Sequence, residues 1–258
     1  MSLKAVRTAS VTRFSGAQMK AMILAAGRGE RMRPLTDTTP KPLLMAGGKQ
    51  LILWTISRLR QAGLIDLIIN TSHLAEQFER TLGDGSSYGV RIQYSFERVA
   101  LETAGGIAWA LPLLNDQPFV VVNSDVYSDY DFTGLKQRAQ NLSAACPAHL
   151  VLVNNPDHHR QGDFALLDGL VAMDGALFTF SGIGAYHPAL FASIPRGNKA
   201  RLAAQLAQPI VDGRVSGEHF QGEWNDVGTP QRLAELDARL RAREGVVDAF
   251  ASAIIPTP

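Results

Sequence analysis

The sequence has a single cysteine, Cys146, among 258 residues, which excludes an intrachain disulfide and any cysteine-cluster metal site. This fits a reducing compartment such as the cytoplasm, and Cys146 reads as a small apolar filler near a helix end. Excess charge of one sign is equally scarce. The 25 Lys and Arg against 24 Asp and Glu leave a net charge of +1, without the basic surplus of a nucleic-acid binder. No apolar run approaches the roughly 20 residues that cross a bilayer, so no membrane span is expected. Internal repeats, low-complexity tracts and linkers are also missing. Residues 1–18 contain no acid and carry Lys4, Arg7 and Arg13, without the apolar stretch of a secretory signal.

What is present is an ordinary globular composition, 46% apolar and 19% charged, long enough for one sizeable core. The expected organisation is a flexible leader over 1–18, one domain over 19–244 and a tail over 245–258. Ala21 to Ala26 is an unbroken apolar run that predicts a buried strand. Residues 51–62 have helical spacing in Leu51, Trp54, Ile56 and Leu59 and stop at Gly63; Leu64 to Ile69 is again strand-like. Ser72 is placed to cap a helix over 73–82. A strand over 90–96, a helix over 106–114 and a strand over 119–122 continue the alternation. Alternating strands and helices imply parallel crossovers and a three-layer α/β sheet. Phe164 to Leu167, Asp168-Gly169 and Val171 to Met173 read as an antiparallel hairpin that completes a pocket, and a last helix is expected over 231–243.

Leu24-Ala25-Ala26-Gly27-Arg28-Gly29-Glu30-Arg31-Met32 follows the first strand and combines bare backbone with two cations, a pattern suited to a polyphosphate. Position 32 is Met where a dinucleotide fingerprint wants Gly, and the Lys-Ser/Thr ending of a Walker loop is missing. The alternative is a plain glycine turn. Pro40-Lys41-Pro42 fixes the backbone around one lysine, which makes a rigid point charge for phosphate or else a solvated loop lysine. Asn123-Ser124-Asp125 ends a buried strand, at the edge where open α/β sheets bind ligands, and Asp226 lies in Trp224 to Pro230 before a helix. Each aspartate also suits a helix cap. Together the two could share a hard, oxygen-preferring cation such as Mg2+.

The run Leu24 to Thr36 with Pro40 to Leu43, Asn123-Ser124-Asp125 and Trp224 to Pro230 resembles the sugar-1-phosphate nucleotidyltransferase family over roughly residues 19–240. That resemblance implies a Rossmann-like, mostly parallel sheet of the nucleotide-diphospho-sugar transferase type, with the small antiparallel insertion forming the sugar pocket. It also implies that Leu24, Ala25, Ala26, Gly27 and Gly29 meet the nucleotide, that Arg31 and Lys41 are catalytic cations, and that Asp125 and Asp226 hold Mg2+. Leu101 to Gly106 resembles the segment meeting base and ribose, with Gly105 and Gly106 as nucleotide contacts. Thr179 to Tyr186 resembles a sugar-pocket segment, with Gly182 and Asn123 as sugar contacts. Among the branches of the family, the chain looks most like the N-acetylmuramate-1-phosphate uridylyltransferases, with UTP and a sugar 1-phosphate as partners; mannose-1-phosphate guanylyltransferases are the runner-up. A nucleotide-sensing homologue without turnover and a nucleotide-sugar-dependent glycosyltransferase are the alternatives of other kinds.

Relatives often carry a Glu-Lys pair near the sugar phosphate, where Asn154 to His159 offers no lysine, leaving Arg160, Lys199 or Arg201 as substitutes. Ser124 stands where Gly is common, and Val99 where an acid is frequent. His158 and His159 read as exposed loop residues, Trp109 as helix core, and the charges over 231–243 as a solvated face. Nothing in the sequence selects between monomer and homo-oligomer.

Overall fold

The apolar runs between polar turns become the strands of one mixed sheet. The computed structural model describes residues 18–253; residues 1–17 of the expected leader and 254–258 of the expected tail lie outside the described residues. In chain order the elements are β1 (Lys20–Leu24), β2 (Met45–Ala46), β3 (Lys49–Gln50), α1 (Leu51–Gln61), β4 (Asp66–Thr71), α2 (Ala75–Leu82), β5 (Arg91–Phe96), α3 (Glu102–Leu114), β6 (Phe119–Asn123) and β7 (Val126–Ser128). They continue with α4 (Phe132–Ala139), β8 (Ala148–Val153), β9 (Phe164–Leu167), β10 (Leu170–Ala172), β11 (Leu177–Tyr186), α5 (Leu202–Val211), β12 (Val215–Phe220), β13 (Trp224–Asp226) and α6 (Pro230–Ala253).

Among the described residues the main sheet has nine strands, in the order β5-β4-β1-β6-β11-β8-β12-β10-β9. β1 runs parallel to β4 and β6, β4 to β5, and β8 to β12, while β11 is antiparallel to β6 and β8. The chain leaves β1 for β4 and β5 on one side, then crosses to β6 on the other. This reversal opens a crevice at the carboxyl ends of β1 and β6, where such sheets take ligands.

Period-two side chains divide the sheet into two faces. Ala21, Ile23, Val120 and Val122 pack with α1, α2 and α4, while Met22 and Val121 pack with α3 and α5. Ile52, Ile56 and Leu59 of α1 are buried in the first core, each worth about 1.5–3 kcal/mol. The result is the three-layer α/β architecture.

Several boundaries differ from the sequence reading. α3 begins at Glu102, not near 106, because Gly105 and Gly106, poor helix formers, are held in the helix by close packing. α2 starts at Ala75 behind Leu74, and Ser72 does not cap it. α6 runs to Ala253, past the expected end at 243. Cys146 is exposed between α4 and β8 and fills no core. The hairpin turns as expected at Asp168 (φ 49°) and Gly169 (φ 80°), both left-handed as a type I′ turn requires. It joins the main sheet, β10 pairing with β12 and β9 with β11.

Candidate active site

The stretch after β1 cannot pair in the sheet, so its backbone groups find partners elsewhere. Ala25 N donates to Asn70 Oδ1 at 2.8 Å, and Asn70 Nδ2 donates to Glu97 Oε1 at 2.6 Å. Leu101 N donates to Glu97 Oε2 at 2.9 Å. Burial pushes the Glu97 carboxyl up, against the downward pull of these bonds from Asn70 and Leu101. This buried chain ties the β1 loop to β4 and to the start of α3.

Gly29 sits at φ 63°, and its carbonyl accepts from Thr36 Oγ1 at 2.9 Å. A Cβ there would lie 3.0 Å from Thr36 Cγ2 and 3.2 Å from Lys41 Cβ, so glycine serves both the turn and the packing of Lys41. Gly27 faces open space. Met32 is fully buried against Ala46, Leu51, Val227 and Leu236, anchoring the loop while Arg31 remains at the surface.

Leu24, Gly27, Gly29, Arg31, Lys41, Asn123 and Asp125 line one cleft of about 760 Å³, together with Arg28, Glu102 and Gly228. Lys41 is 8% exposed, and its Nζ lies 2.7 Å from Asp125 Oδ2. The lysine predicted to be rigid is therefore both buried and charge-paired. Asp226 stands beside this cleft. β13 pairs antiparallel with β7, placing Asp226 opposite Val126, and Val227 N donates to the Asp125 carbonyl at 2.8 Å. A two-stranded ribbon thus brings together two aspartates separated by most of the second half of the chain.

Asn123 also lines a pocket of about 260 Å³ with Thr103, Asp163, Phe164, Phe180, Leu202, Ala203 and Leu206. Gly182, at φ 76° in a bulge of β11, carries no Cβ to displace the Asn123 side chain, which would lie 2.5 Å away. Gly182 therefore shapes this pocket through Asn123.

Two expectations are corrected. Gly105 and Gly106 are buried inside α3: a Cβ on the first would strike the backbone of 198–200, and one on the second would come 2.6 Å from Glu97 Oε1. They are packing glycines and do not line the cleft. Ala25 is buried in the core and serves the loop through its N–H, whereas Ala26 lines a smaller cavity with Asn70, Glu97 and Thr103. His158 is an exposed loop residue as expected, and its Nε2 lies 2.9 Å from Asp226 Oδ1. Of the substitutes for the missing lysine, Arg160 pairs with Asp157 and Arg201 with Glu102.

Arg232, one of the charges over 231–243 expected on a solvated face, is instead turned to the site: its Nη1 lies 2.5 Å from Asp226 Oδ1 and 2.7 Å from His158 Nε2. The signal was available: an arginine in the first turn of a helix opposes the dipole and calls for an anion. Asn70 and Glu97 left no comparable trace, because a buried polar pair, one on β4 and one just past the end of β5, has no sequence spacing of its own.

The Nucleotidyl transferase family matches residues 20–165. An N-acetylmuramate alpha-1-phosphate uridylyltransferase of Neisseria meningitidis is 56% identical over 225 residues, covering 85% of this chain and 97% of that protein. One of the same description from Caulobacter vibrioides is 35% identical, covering 88% and 99%. The crystal structure of a putative glucose-1-phosphate thymidylyltransferase from Bacillus anthracis superposes with a TM-score of 0.77 at 22% identity, over 87% of this chain and 96% of that one, and so shares the fold. The chain belongs to the nucleotidyl transferase family, among its sugar-1-phosphate nucleotidyltransferases.

Proposed function

We propose that the chain transfers the uridylyl group of UTP to N-acetylmuramate α-1-phosphate, giving UDP-N-acetylmuramate and pyrophosphate, in the cytoplasm and in the service of bacterial cell-wall recycling. The observation that carries the reaction type is the juxtaposition, in one cleft, of a bare-backbone loop, Arg31, Lys41 and Asp125. The likeness to the Neisseria and Caulobacter uridylyltransferases supports the choice of substrates.

The donor chemistry suits a hard cation. Asp125 and Asp226 offer carboxylate oxygens on adjoining strands, and among the described residues no third His, Cys, Asp or Glu completes a protein-only cage. Magnesium tolerates that, since it commonly keeps water and substrate phosphates as its other ligands. When bound there it would supply positive charge to the phosphates as a Lewis acid.

The chain's own groups do the rest. Gly27 and Gly29 let the backbone approach the triphosphate, and Arg31 and Lys41 stabilise charge at the α-phosphate and the departing pyrophosphate. A sugar phosphate oxygen attacks the α-phosphorus, the bond to the β-phosphate oxygen breaks, and pyrophosphate leaves. The attacking monoester carries about −2 charge near neutral pH and needs no general base. Asn123 lines both pockets, which supports a position between nucleotide and sugar.

The test is magnesium-dependent pyrophosphate release from UTP, GTP, dTTP, CTP and ATP, each paired with N-acetylmuramate, N-acetylglucosamine, glucose and mannose 1-phosphates. UTP with N-acetylmuramate 1-phosphate should stand well above every other pair. Preference for GTP with mannose 1-phosphate would replace the substrates and keep the mechanism. Nucleotide binding without any release would overturn the enzyme reading.

A further inference from the structure

Arg232 occupies the first turn of α6, where the helix dipole disfavours a cation without a nearby anion. Asp226 is that anion, at 2.5 Å, with His158 as its second partner at 2.9 Å. The Arg232 side chain is 21% exposed, neither sealed in the interior nor free in solvent. Gly228 makes room for it: a Cβ there would collide with the Arg232 guanidinium and lie 3.3 Å from Arg31 Nη2. Two guanidiniums therefore converge on the bare backbone that edges the main cleft. Across the ribbon Lys41 holds Asp125 at 2.7 Å, so each aspartate already carries a cation of the protein's own.

We propose that Arg232 is a phosphate-binding cation held in reserve on Asp226. With a divalent ion held on Asp226, the Arg232 guanidinium would be released to meet the phosphate of the sugar substrate, a role for which the stretch from Asn154 to His159 offers no lysine. The planar fork of arginine matches phosphate as well as carboxylate, so the hand-over needs only a change of partner. It also couples the two ligands. Competition from Arg232 weakens the metal in the empty enzyme, the substrate phosphate relieves that competition, and by linkage metal and sugar phosphate tighten one another. This rests on the nucleotidyl-transfer reading of the site.

The experiment measures Mn2+ affinity of the substrate-free protein, from the electron paramagnetic resonance signal of unbound Mn2+, for the wild type and Arg232→Gln. Steady-state kinetics on both proteins separates KM from kcat. Arg232→Gln should bind Mn2+ about fivefold tighter and raise KM for the sugar phosphate about tenfold, with a smaller change for UTP. Arg232→Lys, which keeps charge without the fork, should fall between. Gly228→Ala, which pushes the guanidinium off Asp226, should also tighten Mn2+ and serves if Arg232→Gln does not fold. Unchanged or weaker Mn2+ binding overturns the reserve role, and an unchanged sugar-phosphate KM overturns the hand-over. Failure of the underlying function would instead leave the wild type releasing no pyrophosphate, while the Mn2+ arm needs no substrate.

Discussion

From Leu24 to Lys41 one side of the cleft is a single stretch of chain, made of backbone and cations and pinned by Thr36, Met32 and the Asn70–Glu97 chain. Opposite it, the pocket around Asn123 collects side chains from β6, β9, β11, α3 and α5, largely apolar, with Asp163 in place of a cation. On the proposed function the difference makes sense: triphosphate is the same in every nucleotide, so a contiguous, rigid loop would suffice to hold it. A sugar is distinguished by its substituents, and that takes walls drawn from distant parts of the sequence.

The largest effect is expected where the two sides meet. Asp125→Ala or Asp226→Ala should lower kcat at least about 10²-fold with the thermal unfolding transition retained. Near-wild-type rates at saturating magnesium would take both aspartates out of the reaction.

The next pair separates the sides. Lys41→Ala should cost about 10²-fold in kcat/KM whichever sugar phosphate is offered. Gly182→Ala places a Cβ against Asn123 at φ 76°, and should cost about 1–3 kcal/mol of stability and raise KM chiefly for the sugar phosphate. Equal shifts in both KM values would erase the distinction.

Asn70→Ala removes the acceptor of Ala25 N and strips a donor from buried Glu97. A loss of about 1–3 kcal/mol in denaturant unfolding is expected, with KM rising for UTP more than for the sugar phosphate.

The smallest effect is a contrast in pH. On β12, Glu218 is held down at about 2, against an ordinary 4.5, by buried His149 first, then by the Tyr130 hydroxyl, with Arg138 adding its charge. Its stabilisation is complete above the ordinary value and fades as pH falls toward about 2. Glu97, raised by burial, has the opposite sign: its contribution is present in acid and lost as pH rises through its elevated pKa. The gap in unfolding midpoint between wild type and Glu218→Gln should therefore shrink on acidification, whereas the gap for Glu97→Gln should not shrink in that direction.

The same contrast governs what was legible in advance. β1, β4 and β6 announced themselves as apolar runs, and the loop after β1, Lys41 and Asp125, which share one cleft, were singled out from short runs of consecutive residues, as was Asp226 beside them. The three-layer sheet followed from the alternation. What escaped depends on contacts between elements. The expected helix over 106–114 began four residues late, at glycines that propensity disfavours in a helix, and only the backbone of 198–200 and the Asn70–Glu97 pair explain why the helix needs Gly105 and Gly106. His158 and Arg232 acquire meaning only when β13 carries Asp226 between them.

The last helix has a consequence for how the enzyme comes into being. Leu233, Leu236 and Leu240 of α6 close over Met32 and Ala46, and Asp237 accepts from Gly47 N at 2.8 Å. The first functional loop to be synthesised is thus backed by almost the last residues of the fold. At ordinary translation speeds of 5–20 residues per second, roughly 10–40 s separate the two. During that interval the loop over 24–41, the phosphate loop of the proposed function, lacks the apolar backing of Leu233, Leu236 and Leu240.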